Sequence, residues 1–283
     1  MKKLIILLTL AISAFIFSQR AVSQIQLGPS LSFKKDTKFY VAPFRNYFPL
    51  NGEGTCNPGP LFNDLIQDLA NLTAASPKTY CFRNYEETIR IGAKGAVDIA
   101  LGIYSDTSLY EEWKIIYPAV IDNPVHLVMV PSRISEVKSI DDLKNLKGAI
   151  DSRDHFNDFV TDQFQNFNLE KLDNSEEIYR KLISGEIDYV FVTYWYGMAE
   201  VLKLGVQEMV SFSKKSIWNM PLFLGVSKMS QNRRFFSHQL TEWMKDDAKR
   251  EKFKQRIIEA LQQLAEENRG KVPLTYQPNK SDM

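Results

Sequence analysis

Three histidines, His126, His155 and His238, stand far apart along the chain and show none of the spacing a metal site needs, so no metal centre is expected. There is no Gly-rich phosphate loop and no Gly-x-Ser-x-Gly elbow, so neither phosphoryl nor serine-type acyl transfer has its usual machinery, and no cofactor is expected. The adjacent carboxylates Glu86-Glu87 and Glu176-Glu177 each open a stretch of helical spacing, where acids complement the helix dipole, so they read as helix starts and not as a catalytic pair. What the sequence does offer is binding chemistry. Tyr47 and Phe48, Tyr85, Tyr104 and Tyr194, the last followed by Trp195 and Tyr196, each fall after a run that reads as a strand. Aromatic faces gathered at strand ends suit a flat, apolar-faced or cationic solute, such as a sugar-like or aromatic one, although each ring taken singly could equally fill a core. Ser105 and Asp106 beside Tyr104, and Thr193 before Tyr194, add polar groups to the same candidate set. Ser152, Arg153 and Asp154 precede a predicted helix and carry two readings: backbone N–H groups and hydroxyls for an anionic ligand group, with Arg153 adding charge, or a plain helix cap. Arg45 is the other candidate cation, with a surface arginine as its alternative.

These residues need elements to position them. Residues 38–44 read as a strand, 45–59 as a long Gly-, Pro- and Asn-containing loop, and 60–72 as a helix with Pro60 in its first turn and an apolar stripe at Leu61, Leu65, Ile66, Leu69 and Leu72. Pro77 reads as a break, 78–82 as a short strand, 86–94 as a helix ended by Gly95, and 97–103 as a buried strand. Strand and helix alternating over short connections imply parallel pairing with right-handed crossovers, and such sheets bind ligands at the carboxyl ends of their strands. The pattern recurs. Residues 125–130 and 148–151 are strand candidates, 154–164 and 176–183 helix candidates, and 187–193 a buried strand. Glu86-Glu87, Arg90, Gly95, Val97 and Asp98 match Glu176-Glu177, Arg180, Gly185, Ile187 and Asp188 at one constant offset, which predicts two similar lobes. A strand over 223–226 and amphipathic helices over 235–243 and 252–264 follow. The charged stretch 245–256 interleaves acids with bases and reads as a solvated face. A loose polar tail is expected over 265–283.

Lys2 and Lys3, the apolar run 4–17 and the small residues Ala21-Val22-Ser23 form a secretory signal over residues 1–23, with the mature chain expected to start near Gln24. The run is shorter than the ~20 residues a spanning helix needs, which favours cleavage over a membrane anchor. A periplasmic location follows. The formal net charge of +1 gives no electrostatic reason to expect nucleic acid as a partner. Two cysteines, Cys56 and Cys81, in an oxidising compartment suggest one disulfide, which would stabilise by about 3–4 kcal/mol on the chain-entropy model; two unpaired thiols are the alternative.

The chain resembles the type II periplasmic solute-binding proteins, the extracellular solute-binding family 3 whose best-known members carry polar amino acids. The resemblance rests on the opening strand with its aromatic-rich loop (41–49), on Gly95-Ala96-Val97-Asp98-Ile99-Ala100, on Ile140-Asp141-Asp142-Leu143-Lys144-Asn145-Leu146-Lys147-Gly148, and on Gly185-Glu186-Ile187-Asp188-Tyr189-Val190. It implies an α/β, two-lobed "Venus flytrap" fold, each lobe an open, mostly parallel sheet flanked by helices. Residues 25–121 with 222–264 would form lobe 1, and 122–221 an inserted lobe 2. A small-molecule ligand would sit between them, for delivery to an ABC-type permease by a monomeric, non-enzymatic carrier. The chain departs from the amino-acid-binding pattern in two places. No Arg stands in 104–114, where such members clamp a ligand carboxylate, and Thr193 stands where they carry the Asp that holds the amino group. A simple α-amino acid is therefore not the expected ligand. Two alternatives share the scaffold: a sensing subunit for a membrane signalling protein, and a dehydratase-like enzyme with Glu53 or Asp106 as the acid.

Overall fold

The computed structural model describes residues 33, 38–43, 58–83, 85–104, 111–154 and 164–268. Among these, two sheets divide the chain. The first is five-stranded, in the order β2 (Ser76–Thr79), β1 (Lys38–Pro43), β3 (Ile99–Tyr104), β11 (Leu222–Ser227), β4 (Trp113–Ile121). The second is six-stranded, β10 (Trp218–Asn219), β5 (Pro124–Met129), β8 (Tyr189–Thr193), β6 (Lys147–Asp151), β7 (Asn168–Leu172), with β9 (Ser211–Phe212) paired to β5. β1 pairs parallel with β2 and β3, and β6 with β7 and β8. One strand in each sheet runs against the rest, β11 in the first and β5 in the second. The fold is the mixed α/β, two-sheet architecture that the resemblance implies.

The reversed strands lie where the chain changes sheets. It leaves the first sheet at Ile121, joins the second at Pro124, leaves again after Asn219 and re-enters the first at Leu222. Register continues through the double crossing: Ile121 faces Leu222, Asn219 faces Pro124, and the Met220 N–H donates to the Asn123 carbonyl at 3.0 Å.

Helices flank both sheets. In α1 (Gly59–Thr73) Leu61, Leu65, Ile66 and Leu69 are buried at helical spacing, whereas Leu72, expected in the same stripe, lies exposed in the last turn. The next helix starts as α2 (Tyr85–Glu87) and widens into a π-helix (Thr88–Ala96) with Gly95 at φ 92°. Among the described residues, a short α3 (Pro131–Ile134), a 3-10 turn (Ile140–Leu143), α4 (Ser175–Ser184), α5 (Tyr194–Leu204), α6 (Arg233–Lys245) and α7 (Asp247–Glu267) follow. No described helix is long and apolar enough to cross a membrane.

Several boundaries differ from the sequence reading, each for a physical reason. Pro77 does not break the chain. It sits opposite Phe39 in β2, an edge strand whose outer side needs no N–H donor. β4 went unread because Pro118 interrupts its alternation, yet β4 is the other edge of that sheet, where proline is tolerated. Tyr194, Trp195 and Tyr196, placed after a strand but assigned to no element by the sequence, open α5. The charged stretch near 245–256 is helical from Asp247, because Asp246 caps it by accepting from the Ala248 and Lys249 N–H groups at 3.0 and 3.2 Å. That helix runs on to Glu267, so residues 265–267 of the expected tail are helical, and 269–283 lie outside the described residues. The helix predicted over 154–164 lies largely outside the described residues.

Candidate ligand-binding site

The repeated Gly-x-x-Asp junctions fix the amino ends of the central strands. Gly95 and Gly185 hold φ of 92° and 79°, a left-handed turn that glycine adopts without a Cβ penalty. Each is followed by an aspartate that grips the neighbouring strand. Asp98 accepts the Tyr40 N–H at 2.8 Å while its own N–H reaches the Tyr40 carbonyl at 2.9 Å. Asp188 accepts the Lys147 N–H at 2.8 Å while its N–H reaches the Lys147 carbonyl at 2.7 Å. Their second oxygens differ in partner: Ser230 Oγ donates to Asp98 at 2.5 Å, and the Arg133 guanidinium to Asp188. Partial burial raises the Asp188 pKa, but the Arg133 and Lys147 hydrogen bonds outweigh it and hold the carboxyl below the usual carboxylate range.

With the amino ends fixed, the carboxyl ends of β6 and β8 come side by side, since the two strands are parallel neighbours. Asp154 joins them, its Oδ2 accepting from the Thr193 N–H at 2.7 Å and the Thr193 hydroxyl at 2.8 Å. Thr193 and Asp154 are both fully buried. Asp151, the last residue of β6, is the centre of a denser network. Its Oδ1 accepts from the Arg153 backbone N–H at 2.9 Å and Nε at 3.0 Å. Its Oδ2 accepts from Arg153 Nη2 at 2.7 Å, Ser175 Oγ at 2.9 Å and the Tyr196 hydroxyl at 2.8 Å. Arg153 Nη2 also donates to Ser175 Oγ and lies 3.8 Å from a Glu200 carboxylate oxygen. Ser175 opens α4, and Tyr196 and Glu200 stand one turn apart on α5, so both helices brace the end of β6.

The electrostatics are those of a partly buried ion-pair cluster. Burial works against the Arg153 charge, but hydrogen bonding to Asp151 raises its pKa above the arginine norm. The Tyr196 and Tyr179 hydroxyls are pushed up, first by burial and then by carboxylates, Asp151 and Glu200 acting on both and Asp154 also on Tyr179, so both stay protonated as donors. Tyr179 spends its proton on the Gly197 carbonyl at 3.5 Å.

On the first sheet, Tyr104 ends β3 with its ring buried against Tyr85, centroids 6.0 Å apart. The Tyr104 N–H donates to the Tyr85 hydroxyl at 3.1 Å, and the Tyr104 hydroxyl accepts from Asn123 Nδ2 at 3.4 Å. These two expected site residues therefore form a chain that ends on the crossing segment.

The expected residues separate into groups. Ser152, Arg153 and Thr193 come together at the carboxyl edge of the second sheet, and Tyr85 with Tyr104 at that of the first. Tyr194 turns its ring to His126, Trp195 and Phe212, with centroids 5.3, 5.1 and 5.7 Å away. It lines a groove of about 780 Å³ shared with Ile121, Asp122, His126 and, from α7, Arg250 and Lys254. Arg45, Tyr47, Phe48, Glu53, Ser105, Asp106 and Cys56 lie outside the described residues. Cys81 is not a free thiol. No group of side chains among the described residues could hold a metal ion. The sequence reading missed Asp151, Ser175, Tyr196 and Glu200. Tyr196 and Glu200 at i, i+4 on one helix face were the available signal, hidden because no helix was read over 194–204.

No known family profile matches the chain, and no curated protein matches it. Solved structures do. The chain is similar to a putative binding component of an ABC transporter from Wolinella succinogenes, complexed with lysine, at 16% identity and a TM-score of 0.63, covering 79% of this chain and 96% of that one. It is similar to a histidine kinase sensor domain with similarity to periplasmic binding proteins, at 16% identity and a TM-score of 0.61, covering 78% and 96%. An ancestral amino-acid-binding protein, a precursor of cyclohexadienyl dehydratase, matches at 15% identity and a TM-score of 0.59, covering 77% and 94%. The class defined at this level is the fold: two sheets joined by a double crossing, as in the type II periplasmic solute-binding proteins.

Proposed function

We propose that the chain is a periplasmic solute-binding protein that closes two lobes on a small ligand and hands it to an ABC-type permease. Lobe 1 comprises 25–121 with 222–264, lobe 2 comprises 122–221, and residues 1–23 are a removed export signal. The observation that carries this reading is the double crossing at 122–123 and 220–221, where two chain segments, with the Met220 N–H donating to the Asn123 carbonyl, pass between the two sheets. A pair of crossing segments can act as a hinge about which halves rotate. The ligand lies between the carboxyl edges: Tyr104 with Ser105 and Asp106 on one side, Ser152 to Asp154 and Thr193 on the other, and Arg45, Tyr47 and Phe48 from the segment after β1. Cys81 pairs with Cys56, the chain's only other cysteine.

Closure requires a ligand that binds the closed state better than the open one, by roughly 5 kcal/mol to move the population from mostly open to mostly closed. Thermal-shift screening of the mature chain against sugars, polyamines, aromatic solutes and amino acids tests the reading. A true ligand raises the melting temperature, with a stabilisation that grows as the logarithm of one plus its concentration over Kd. A screen in which no solute class shifts it counts against transport. The sensor-domain neighbour favours a second reading, docking of the closed form on a membrane signalling protein. A permease or a kinase among the proteins co-purified with the ligand-loaded chain separates the two.

A further inference from the structure

Arg153 is the described cation best placed to meet a ligand at the carboxyl edge of the second sheet, with its side chain 38% exposed, yet its guanidinium is already engaged. Nε and Nη2 form a two-pronged fork on Asp151, the planar geometry by which arginine otherwise seizes a ligand carboxylate or phosphate. Asp151 thus occupies the position an anionic ligand group would take. It is itself buried, its side chain 4% exposed, and among the described residues it is also held by donors on fixed elements: the Arg153 backbone, Ser175 at the start of α4 and Tyr196 on α5. A ligand anion that pulled Arg153 away would take that guanidinium's two hydrogen bonds and its charge from a poorly solvated carboxylate, a costly exchange. The surrounding charge adds to the barrier. Glu200 lies beside the same guanidinium, and Asp151, Asp154 and Glu200 all bear on the buried Tyr179 hydroxyl, so among the described residues three carboxylates stand around this one guanidinium.

We propose that Asp151 is a specificity-determining residue: by holding Arg153 it withdraws the guanidinium from the ligand, so the cleft accepts neutral or cationic solutes and rejects those whose recognition needs a carboxylate or phosphate anchor at this edge. The inference rests on the reading of the carboxyl edges as the ligand cleft. Asp151 acts through Arg153 and is a positioning residue.

The experiment uses inorganic phosphate and succinate as probes on three forms of the mature chain. In the wild type neither probe raises the melting temperature or moves the Arg153 Nε resonance in ¹⁵N NMR, a signal assigned by its loss in Arg153→Lys. Asp151→Asn frees the fork and binds phosphate about tenfold more tightly, the worth of one charge-assisted hydrogen bond. Asp151→Asn combined with Arg153→Gln loses that gain, which a merely structural role for Asp151 would not produce. The proposal is overturned if either probe stabilises the wild type and shifts the Arg153 resonance, or if folded Asp151→Asn shows no gain. Should Asp151→Asn fail to fold, the wild-type resonance decides alone. Because the probes report on Arg153 and not on the natural ligand, a screen that finds no ligand at all would defeat the transport reading and leave this outcome still readable.

Discussion

The two sheets begin their central strands alike and end them differently. At the amino ends, Gly95 and Gly185 turn the chain, and Asp98 and Asp188 each trade two hydrogen bonds with the adjoining strand. At the carboxyl ends, the first sheet presents buried phenols that lead to the crossing, Tyr85 to Tyr104 to Asn123. The second presents an ion-pair cluster braced by two helices. Structural work is thus repeated where strands start, and individual chemistry appears where they finish. That division is what a parallel α/β sheet makes available, since ligands bind outside the carboxyl ends.

The contrast between the carboxyl ends should produce the largest effect. Asp151→Ala leaves the partly buried Arg153 without its main partner and should cost about 3 kcal/mol, read from the urea midpoint. Tyr104→Phe, its counterpart in the first sheet, removes the long hydrogen bond from Asn123 Nδ2 and should cost no more than about 1 kcal/mol. Equal losses would erase the distinction between the two ends.

The likeness of the amino ends predicts matched losses. Asp98→Asn and Asp188→Asn should each destabilise by roughly 1–2 kcal/mol, since each keeps its backbone pairing but weakens a charge-assisted acceptor. Only a large difference between them would break the equivalence. Asp188 adds a pH signature. Its folded pKa is lowered, so its contribution is fully present above the unfolded carboxylate value of about 3.9 and is lost as pH falls through the lower folded value. Acid titration of stability in Asp188→Asn should therefore be flatter below about pH 4 than in the wild type.

Smaller again are the turns. Gly95→Ala and Gly185→Ala should each lower stability by about 1 kcal/mol through the left-handed backbone alone, because the nearest atom to an added Cβ at Gly95 is Met229 Cβ at an ordinary 3.4 Å and nothing lies within 4 Å at Gly185. Differential scanning calorimetry would expose any inequality. Smallest is Arg180→Ala, which removes an exposed pair with Glu186 and should stay within about 0.5 kcal/mol by the same calorimetry.

The repeat was legible because glycine and aspartate at fixed spacing report backbone constraints that sequence carries locally. The offset that matched Asp98 to Asp188 corresponds to the same pair of hydrogen bonds in each half. Buried strands such as β3 and β8 were legible for a similar reason, as continuous apolar runs. Edge strands were less so: β2 was read only from after Pro77 and β4 not at all, because each contains a proline that a local rule reads as a breaker, and only their place at the sheet margin makes them tolerable. The candidate site was half legible. Arg153 stood out as a cation at a strand end, but its direction depends on Asp151, Ser175, Tyr196 and Glu200, which converge from β6, α4 and α5 and share no local pattern. Tyr194 shows the same limit. Its position after β8 was visible, while its turn toward His126 and Phe212 depends on α5 and β9.

Small-angle X-ray scattering of the mature chain, with and without the solute that most raises its melting temperature, addresses hinge closure most directly. The account predicts a smaller radius of gyration and a shortened maximum dimension when the solute is bound. Tight binding that leaves both dimensions unchanged would contradict it.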